Sequence, residues 1–219
     1  MDTLGYLDNR NRLKEYLEER NYESNPGLER ALAALTGLLQ SSGGCKWLAG
    51  GSAGLWLQGA ELAAPPRDID IYAEKEAAVH LHECLKPFAV DTPKWDRSGI
   101  YVSLLSHYKI EDYTVELVGG FEVRASLGHY KVEIENLLDL YAAEIMPGLK
   151  VMPLAHEYIF NLLRSRPDRY KAVAEQMNRR PELHLPLLEE MAERNGWTKH
   201  QQTEMDKLSP IWGWQNNMR

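Results

Sequence analysis

The sequence predicts an α+β fold: a mixed, partly antiparallel sheet flanked by helices and followed by a C-terminal helical domain. Three observations carry this. Residues 46–73 pass from strand pattern to helix pattern to strand pattern, residues 99–134 run through consecutive β-rich segments with short links, and from about residue 135 the apolar spacing is helical. Consecutive strands with short links pair antiparallel, and a strand–helix–strand unit brings in further strands with helices outside them, so the sheet is mixed. The switch of period places a domain boundary between residues 1–134 and 135–219.

In chain order, Leu7, Leu13, Tyr16 and Leu17 repeat at helical spacing, and after Asn25-Pro26-Gly27 a second helix carries Leu28, Leu32, Leu35, Leu38 and Leu39 on one side. Trp47–Ala49 reads as a strand, with Ala53, Trp56, Leu57 and Ala60 on a helical segment behind it, and 67–73 as the next strand. Residues 75–86 form a helix stopped at Pro87. His80 and His82 on it are two apart and cannot share a face. Strands follow at Gly99–Ser106, Tyr113–Val118, Phe121–Ala125 and His129–Ile134, with turns expected at Gly119-Gly120 and Leu127-Gly128. Leu137, Leu138 and Tyr141 open the helical part, Leu149–Met152 is extended, and Pro153 starts a helix carrying Tyr158, Ile159, Leu162 and Leu163. Helices at 168–178, 182–195 and 198–208 complete it. The tail, with Trp212 and Trp214, is too apolar to stay solvated and is expected to dock on the body or on a second subunit as a homodimer contact.

Composition narrows the function. A net charge of −7 disfavours broad nucleic-acid binding, because a polyanion is repelled except at a local basic patch. Cys45 and Cys84 make no metal or disulfide pattern and read as buried free thiols. No stretch resembles a signal peptide or a membrane span, so the expected location is cytoplasmic.

The chemistry concentrates in Trp47–Tyr72. Gly50-Gly51-Ser52 lies where a strand turns into a helix, and glycines there let the backbone approach a ligand while the helix start offers N–H groups to an anion. Ser52 can cap that helix or bind a phosphate oxygen. Downstream, Asp68 and Asp70 sit two apart on a strand, so their side chains share a face with Cα atoms roughly 6.5 Å apart, while Ile69 and Ile71 point into a core. Two carboxylates so close repel unless a cation lies between them or one binds a proton, and oxygen donors of this kind suit Mg²⁺ or a similar hard ion. A third acid, Glu116, stands in the otherwise apolar Tyr113–Val118, where a charge is costly unless paired or bound to a cation. Glu111 and Asp112, at the start of that strand, read as solvated.

Gly50-Gly51-Ser52 in a strand-to-helix turn, Asp68-Ile69-Asp70-Ile71 downstream and Glu116 in a later apolar strand together resemble the nucleotidyltransferase superfamily, which includes DNA polymerase beta, CCA-adding enzymes, antibiotic nucleotidyltransferases and minimal nucleotidyltransferase antitoxins. The resemblance covers about residues 44–120. Two features depart from its pattern: the link from Ser52 to Asp68 is longer than in the minimal members, and Pro65-Pro66-Arg67 replaces the hydroxyl residue often found before the first aspartate. The resemblance implies Mg²⁺ or Mn²⁺ held by Asp68, Asp70 and Glu116, a nucleoside triphosphate whose phosphates lie on Gly50, Gly51 and Ser52, and transfer of a nucleoside monophosphate, AMP in most small members, to a hydroxyl of a small molecule or protein. Glu116 also suits the role of proton acceptor, and Arg67 that of phosphate contact or local salt bridge. An aminoglycoside acceptor would suit the acidic composition. The alternative is a binding or antitoxin-like protein of the same fold that acts through a partner. Arg164, Arg166, Arg169 and Lys171 surround a helix break and would either reach the triphosphate or form a solvated face. His107, His129 and His156 read as isolated surface or core residues, and Trp56 as core.

Overall fold

The computed structural model describes residues 3–19 and 24–211. The expected docking of Trp212 and Trp214 lies outside the described residues.

Helix α1 (Thr3–Glu18) buries Asn9 and Leu13 and leaves most of its surface charged. In α2 (Pro26–Leu39) the Asn25 side chain accepts the Leu28 N–H at 3.1 Å, and Pro26 occupies the first turn, where its missing N–H costs nothing. Its Leu28, Leu32, Leu35 and Leu39 stripe is buried. Strand β1 (Trp47–Gly50) passes directly into α3 (Gly51–Leu57), and β2 (Asp68–Ala73) is followed by α4 (Lys75–Leu85). Then come β3 (Lys94–Asp96), β4 (Tyr101–Ile110), β5 (Tyr113–Ala125) and β6 (Gly128–Lys131). The short edge strand β3, only partly covered, has no apolar alternation that the sequence could display.

The sheet order is β1-β2-β5-β4-β3, with β6 also on β5. β2 and β5 run parallel, and the other pairs are antiparallel. Glu116 is therefore on a central strand. The register sets Asp68 beside Thr114 and Asp70 beside Glu116. Period-two alternation sends Ile69, Ile71, Val115 and Leu117 into a core shared with α2 and α4, and sends Asp68, Asp70, Glu116 and Val118 to the opposite face.

Gly119-Gly120 is not a turn. β5 continues through it as one strand, and two residues of β5, Gly120 and Phe121, oppose Ser103 alone in β4. Gly120 at φ +56 makes this a bulge of the glycine type. The glycines also admit α4: a Cβ on Gly119 would lie 2.5 Å from the Ala78 Cβ.

A π-helical turn at Ile134–Leu138 and α5 (Asp139–Tyr141) lead to a small hairpin of β7 (Glu144–Met146) and β8 (Leu149–Lys150). The Met152 N–H then donates to Ala49 O at 2.7 Å, which fastens this segment alongside β1. Pro153 caps α6 (Leu154–Leu163), in which every residue is buried. Helices α7 (Pro167–Arg179), α8 (Leu185–Arg194) and α9 (Lys199–Leu208) follow, the last with a capping box from Thr198 and Gln201. The single helix expected over 182–195 is divided, because Pro186 fits only a first turn and restarts the helix after the 3₁₀ turn Pro181–Leu183. A second core joins Tyr72, Val118 and Phe121 of the sheet to Tyr158, Leu188, Met191 and Met205, on both sides of residue 134. Among the described residues no helix is long and apolar enough to cross a membrane.

Candidate active site

The polar face of β2 and β5 floors a cleft of about 380 Å³. Gly51 and Ser52 at the start of α3, Glu157 and Arg164 from α6 and Arg169 from α7 contribute to its walls. All three acids expected from the sequence face this one space, as do Gly51 and Ser52. Gly50 immediately precedes them and pairs with Asp70 across β1 and β2.

Close approach explains the glycines. Gly51 has φ +59, and a Cβ there would stand 1.8 Å from Asp70 Oδ2, so the carboxylate lies where any side chain would be. A Cβ on Gly50 would meet Tyr72, Met152 and Glu157 at 2.8–3.0 Å. The cap of α3 is Gly50, not Ser52. Ser52 lies within the helix, and its hydroxyl donates to Asp68 Oδ1 at 3.2 Å. One of the turn's amide donors is also taken, since the Gly51 N–H donates to Glu157 Oε1 at 2.7 Å.

The crowded acids perturb one another. Burial, then the neighbouring Glu116, Asp68 and Glu157, push the Asp70 carboxyl well above the usual range, against the lowering effect of Arg164. Glu116 is raised by burial and by Asp68, with His107 opposing. Glu157, 1% exposed, is pushed up to about 7 by burial despite the Gly51 hydrogen bond and the charges of Arg164 and Arg169.

Arg164, Arg166 and Arg169 line the cleft, whereas Lys171 lies on a different groove beside Ser209 and Pro210. The basic cluster is thus divided within α7, where Arg169 and Lys171 are two apart and face different ways, while the turn at Ser165, φ 57, keeps Arg164 and Arg166 on the same cleft. Arg166 is paired with Asp168 at 2.8 Å. Arg67 is exposed and borders an adjoining pocket of about 310 Å³ together with Ser52, Asp68, Arg166 and Arg169.

Among solved structures, the chain is similar to a Thermotoga maritima protein, TM1012, named as a candidate nucleotidyltransferase. The TM-score is 0.57 at 22% identity, covering 74% of this chain and 99% of that one. The fold is that of the nucleotidyltransferases. Two weaker likenesses are to ANT(2")-Ia, solved in complex with adenylyl-2"-tobramycin (TM-score 0.43, 10% identity, 74% of this chain and 95% of that one), and to JHP933 from Helicobacter pylori (TM-score 0.35, 11% identity, 89% and 96%). No protein-family model and no curated protein sequence matches the chain.

On this nucleotidyltransferase fold, the donor chemistry of the cleft fits a hard divalent cation: the carboxylates of Asp68, Asp70 and Glu116 crowd one floor, and burial together with the neighbouring negative charge raises the Asp70 carboxyl. Among the described residues no three His, Cys, Asp or Glu side chains close on a common point. Mg²⁺ does not require this, because it keeps several waters and takes one or two carboxylates together with substrate phosphates.

Two features escaped the sequence reading. Glu157 is an acid within the apolar run Leu154–Phe160, the same signal that picked out Glu116. His107 is not isolated: its Nδ1 is 2.8 Å from Asp91 Oδ2, and its Nε2 is 3.9 Å from Glu116 Oε1 across the β4–β5 pair. Nothing in the sequence signals that contact, because it depends on register. His129 pairs with Glu122 at 3.2 Å, and His156 is core, bonded to the Tyr130 hydroxyl at 2.8 Å. Burial lowers His156 to about 3. Cys45 and Cys84 are free, and half-buried rather than buried. Trp56 is half-buried against the α2–α4 core, as a packing residue.

Proposed function

We propose that the protein transfers a nucleoside monophosphate, AMP from ATP, to a hydroxyl of a small molecule or protein and releases pyrophosphate. The observation that carries this reading is the parallel β2–β5 register, which collects Asp68, Asp70 and Glu116 on one face beneath a glycine turn and beside three arginines. A cleft that pairs crowded carboxylates with guanidinium groups suits a polyphosphate brought in with a cation.

Asp68 and Asp70 would hold a divalent cation, Mg²⁺ or Mn²⁺, with Glu116 beside them, and the bound ion would neutralise charge on the phosphates. Ser52 orients Asp68 through its hydroxyl, and Gly51 gives Asp70 room. Arg164 and Arg169 offset the charge of the β and γ phosphates, and Arg67 meets the end of the chain in the adjoining pocket. The acceptor oxygen attacks the α phosphorus, the bond to pyrophosphate breaks, and the acceptor's proton passes to Glu116, whose raised carboxyl makes it a competent base. Positioning and electrostatics supply most of the acceleration in this scheme.

The test is pyrophosphate release from each nucleoside triphosphate with and without Mg²⁺, against a panel of hydroxyl acceptors that includes aminoglycosides. Asp68→Asn and Asp70→Asn are each expected to lower release by about 10³-fold or more while circular dichroism stays native. Full activity in both variants would overturn the site. Nucleotide binding without turnover would instead favour a binding module of this fold.

A further inference from the structure

The buried face of α6 that looks into the cleft carries a connected set of polar groups of which the transfer scheme uses only Arg164. Glu157, Asn161 and Arg164 follow at i, i+4 and i+7, so they form one stripe along the helix, and all three line the cleft. Glu157 Oε1 accepts the Gly51 N–H at 2.7 Å. Asn161 Nδ2 donates to Glu157 Oε2 at 3.4 Å and to the Glu157 backbone oxygen at 2.7 Å. On its other side, Asn161 Oδ1 accepts from Arg164 Nε at 3.1 Å. The Arg164 guanidinium lies over the Phe160 ring, 4.4 Å from its centroid.

We propose that Glu157 is a positioning residue for the glycine turn and that Asn161 couples this anchor to the Arg164 guanidinium. This rests on the function proposed above. A buried carboxylate is costly to keep in an apolar helix, and its best hydrogen bond goes to the amide of the one residue whose missing Cβ admits Asp70. Holding that amide fixes the φ +59 turn and so the distance between Gly51 and Asp70. The two ends of the Asn161 amide match both charges: an N–H toward the Glu157 carboxylate and a carbonyl toward the Arg164 guanidinium. The turn beside Asp70 and the arginine at the C-terminal cap of α6 are thereby set from one buried helix, which is more exact than setting each from a loop.

Two readouts test this. The first is amide hydrogen exchange at Gly51 in the full chain without nucleotide. Protection is expected in the wild type, in Glu157→Gln, which keeps an acceptor oxygen, and in Asn161→Leu. It is expected to fall by about 10-fold or more in Glu157→Leu. The second is steady-state transfer. Glu157→Leu is expected to lower kcat by about 10²-fold, Glu157→Gln to recover most of that loss, and Asn161→Leu to raise the KM for the triphosphate about 10-fold with a much smaller change in kcat. Equal Gly51 exchange in wild type and Glu157→Leu, or a drop in melting temperature with kcat and KM unmoved, would overturn the proposal. If Glu157→Leu does not fold, Glu157→Asp, whose shorter side chain withdraws the acceptor from Gly51 while keeping the charge, takes its place in both readouts with the same expected and overturning results. A wild type that transfers nothing would overturn the proposed function alone, since the exchange data still decide the anchor.

Discussion

At Gly51 the backbone takes φ +59 and an added Cβ would stand 1.8 Å from Asp70 Oδ2, so Gly51→Ala must displace either the turn or the carboxylate. The expected result is a destabilisation of about 1–3 kcal/mol in urea unfolding, together with loss of Mg²⁺-dependent pyrophosphate release. Glu157 makes a separate, pH-dependent prediction. Its carboxyl is pushed from 4.5 to about 7 in the folded chain, so the folded state binds more protons than the unfolded state between those values. Stability from this group is therefore greatest at the acid end and is lost as pH rises through about 7, by on the order of 3 kcal/mol without metal. The difference in unfolding free energy between wild type and Glu157→Gln, measured at pH 5 and pH 8, should widen in favour of the glutamine variant at pH 8. Raised Asp70 and Glu116 add slopes of the same sign, the Asp70 part being smaller in Glu157→Gln because the Glu157 charge is one of its causes.

The elements that place these residues owe as much to close packing as to propensity. α4 lies so near β5 that Gly119 has no room for a methyl group, with Ala78 Cβ 2.5 Å from the point a Cβ would occupy. Gly119→Ala is expected to cost about 1–3 kcal/mol by overpacking, and Ala78→Gly in the same chain to recover part of it, the gain being limited by the helix penalty of glycine. A double-mutant cycle in urea measures that coupling directly. Strand-to-helix order, the β2 boundaries and the acid positions were legible in the sequence because they follow from local period and glycine placement. The glycine pair at 119–120 read as a turn because a bulge and a turn use the same residues, and only the β4 partner distinguishes them.

Across the whole molecule, the core that joins Tyr72, Val118 and Phe121 to Tyr158, Leu188 and Met191 continues through the expected boundary at residue 134. Shared burial of this kind couples the two parts. Leu188→Ala, at a fully buried position, is expected to cost about 2–5 kcal/mol and to shift a single unfolding transition, seen equally in variants that keep only Trp47 or only Trp197 of the six tryptophans as the fluorophore. Two separate transitions, only one of them shifted, would mean that the core does not hold the parts together.

The amino-acid sequence by itself determined the mixed α+β architecture, the glycine turn and the identity of Asp68, Asp70 and Glu116 as costly charges in strand patterns, because periodicity and the expense of burying a carboxylate are local properties. The tertiary structure decided which of them meet. Asp70 lies beside Glu116 through a parallel register formed over more than forty residues, and Glu157 reaches Gly51 across 106 residues. The same structure separated Lys171 from the three arginines of the cleft and gave His107 its partners. Contacts at such separations are set by strand register and helix packing, which no short window of sequence contains.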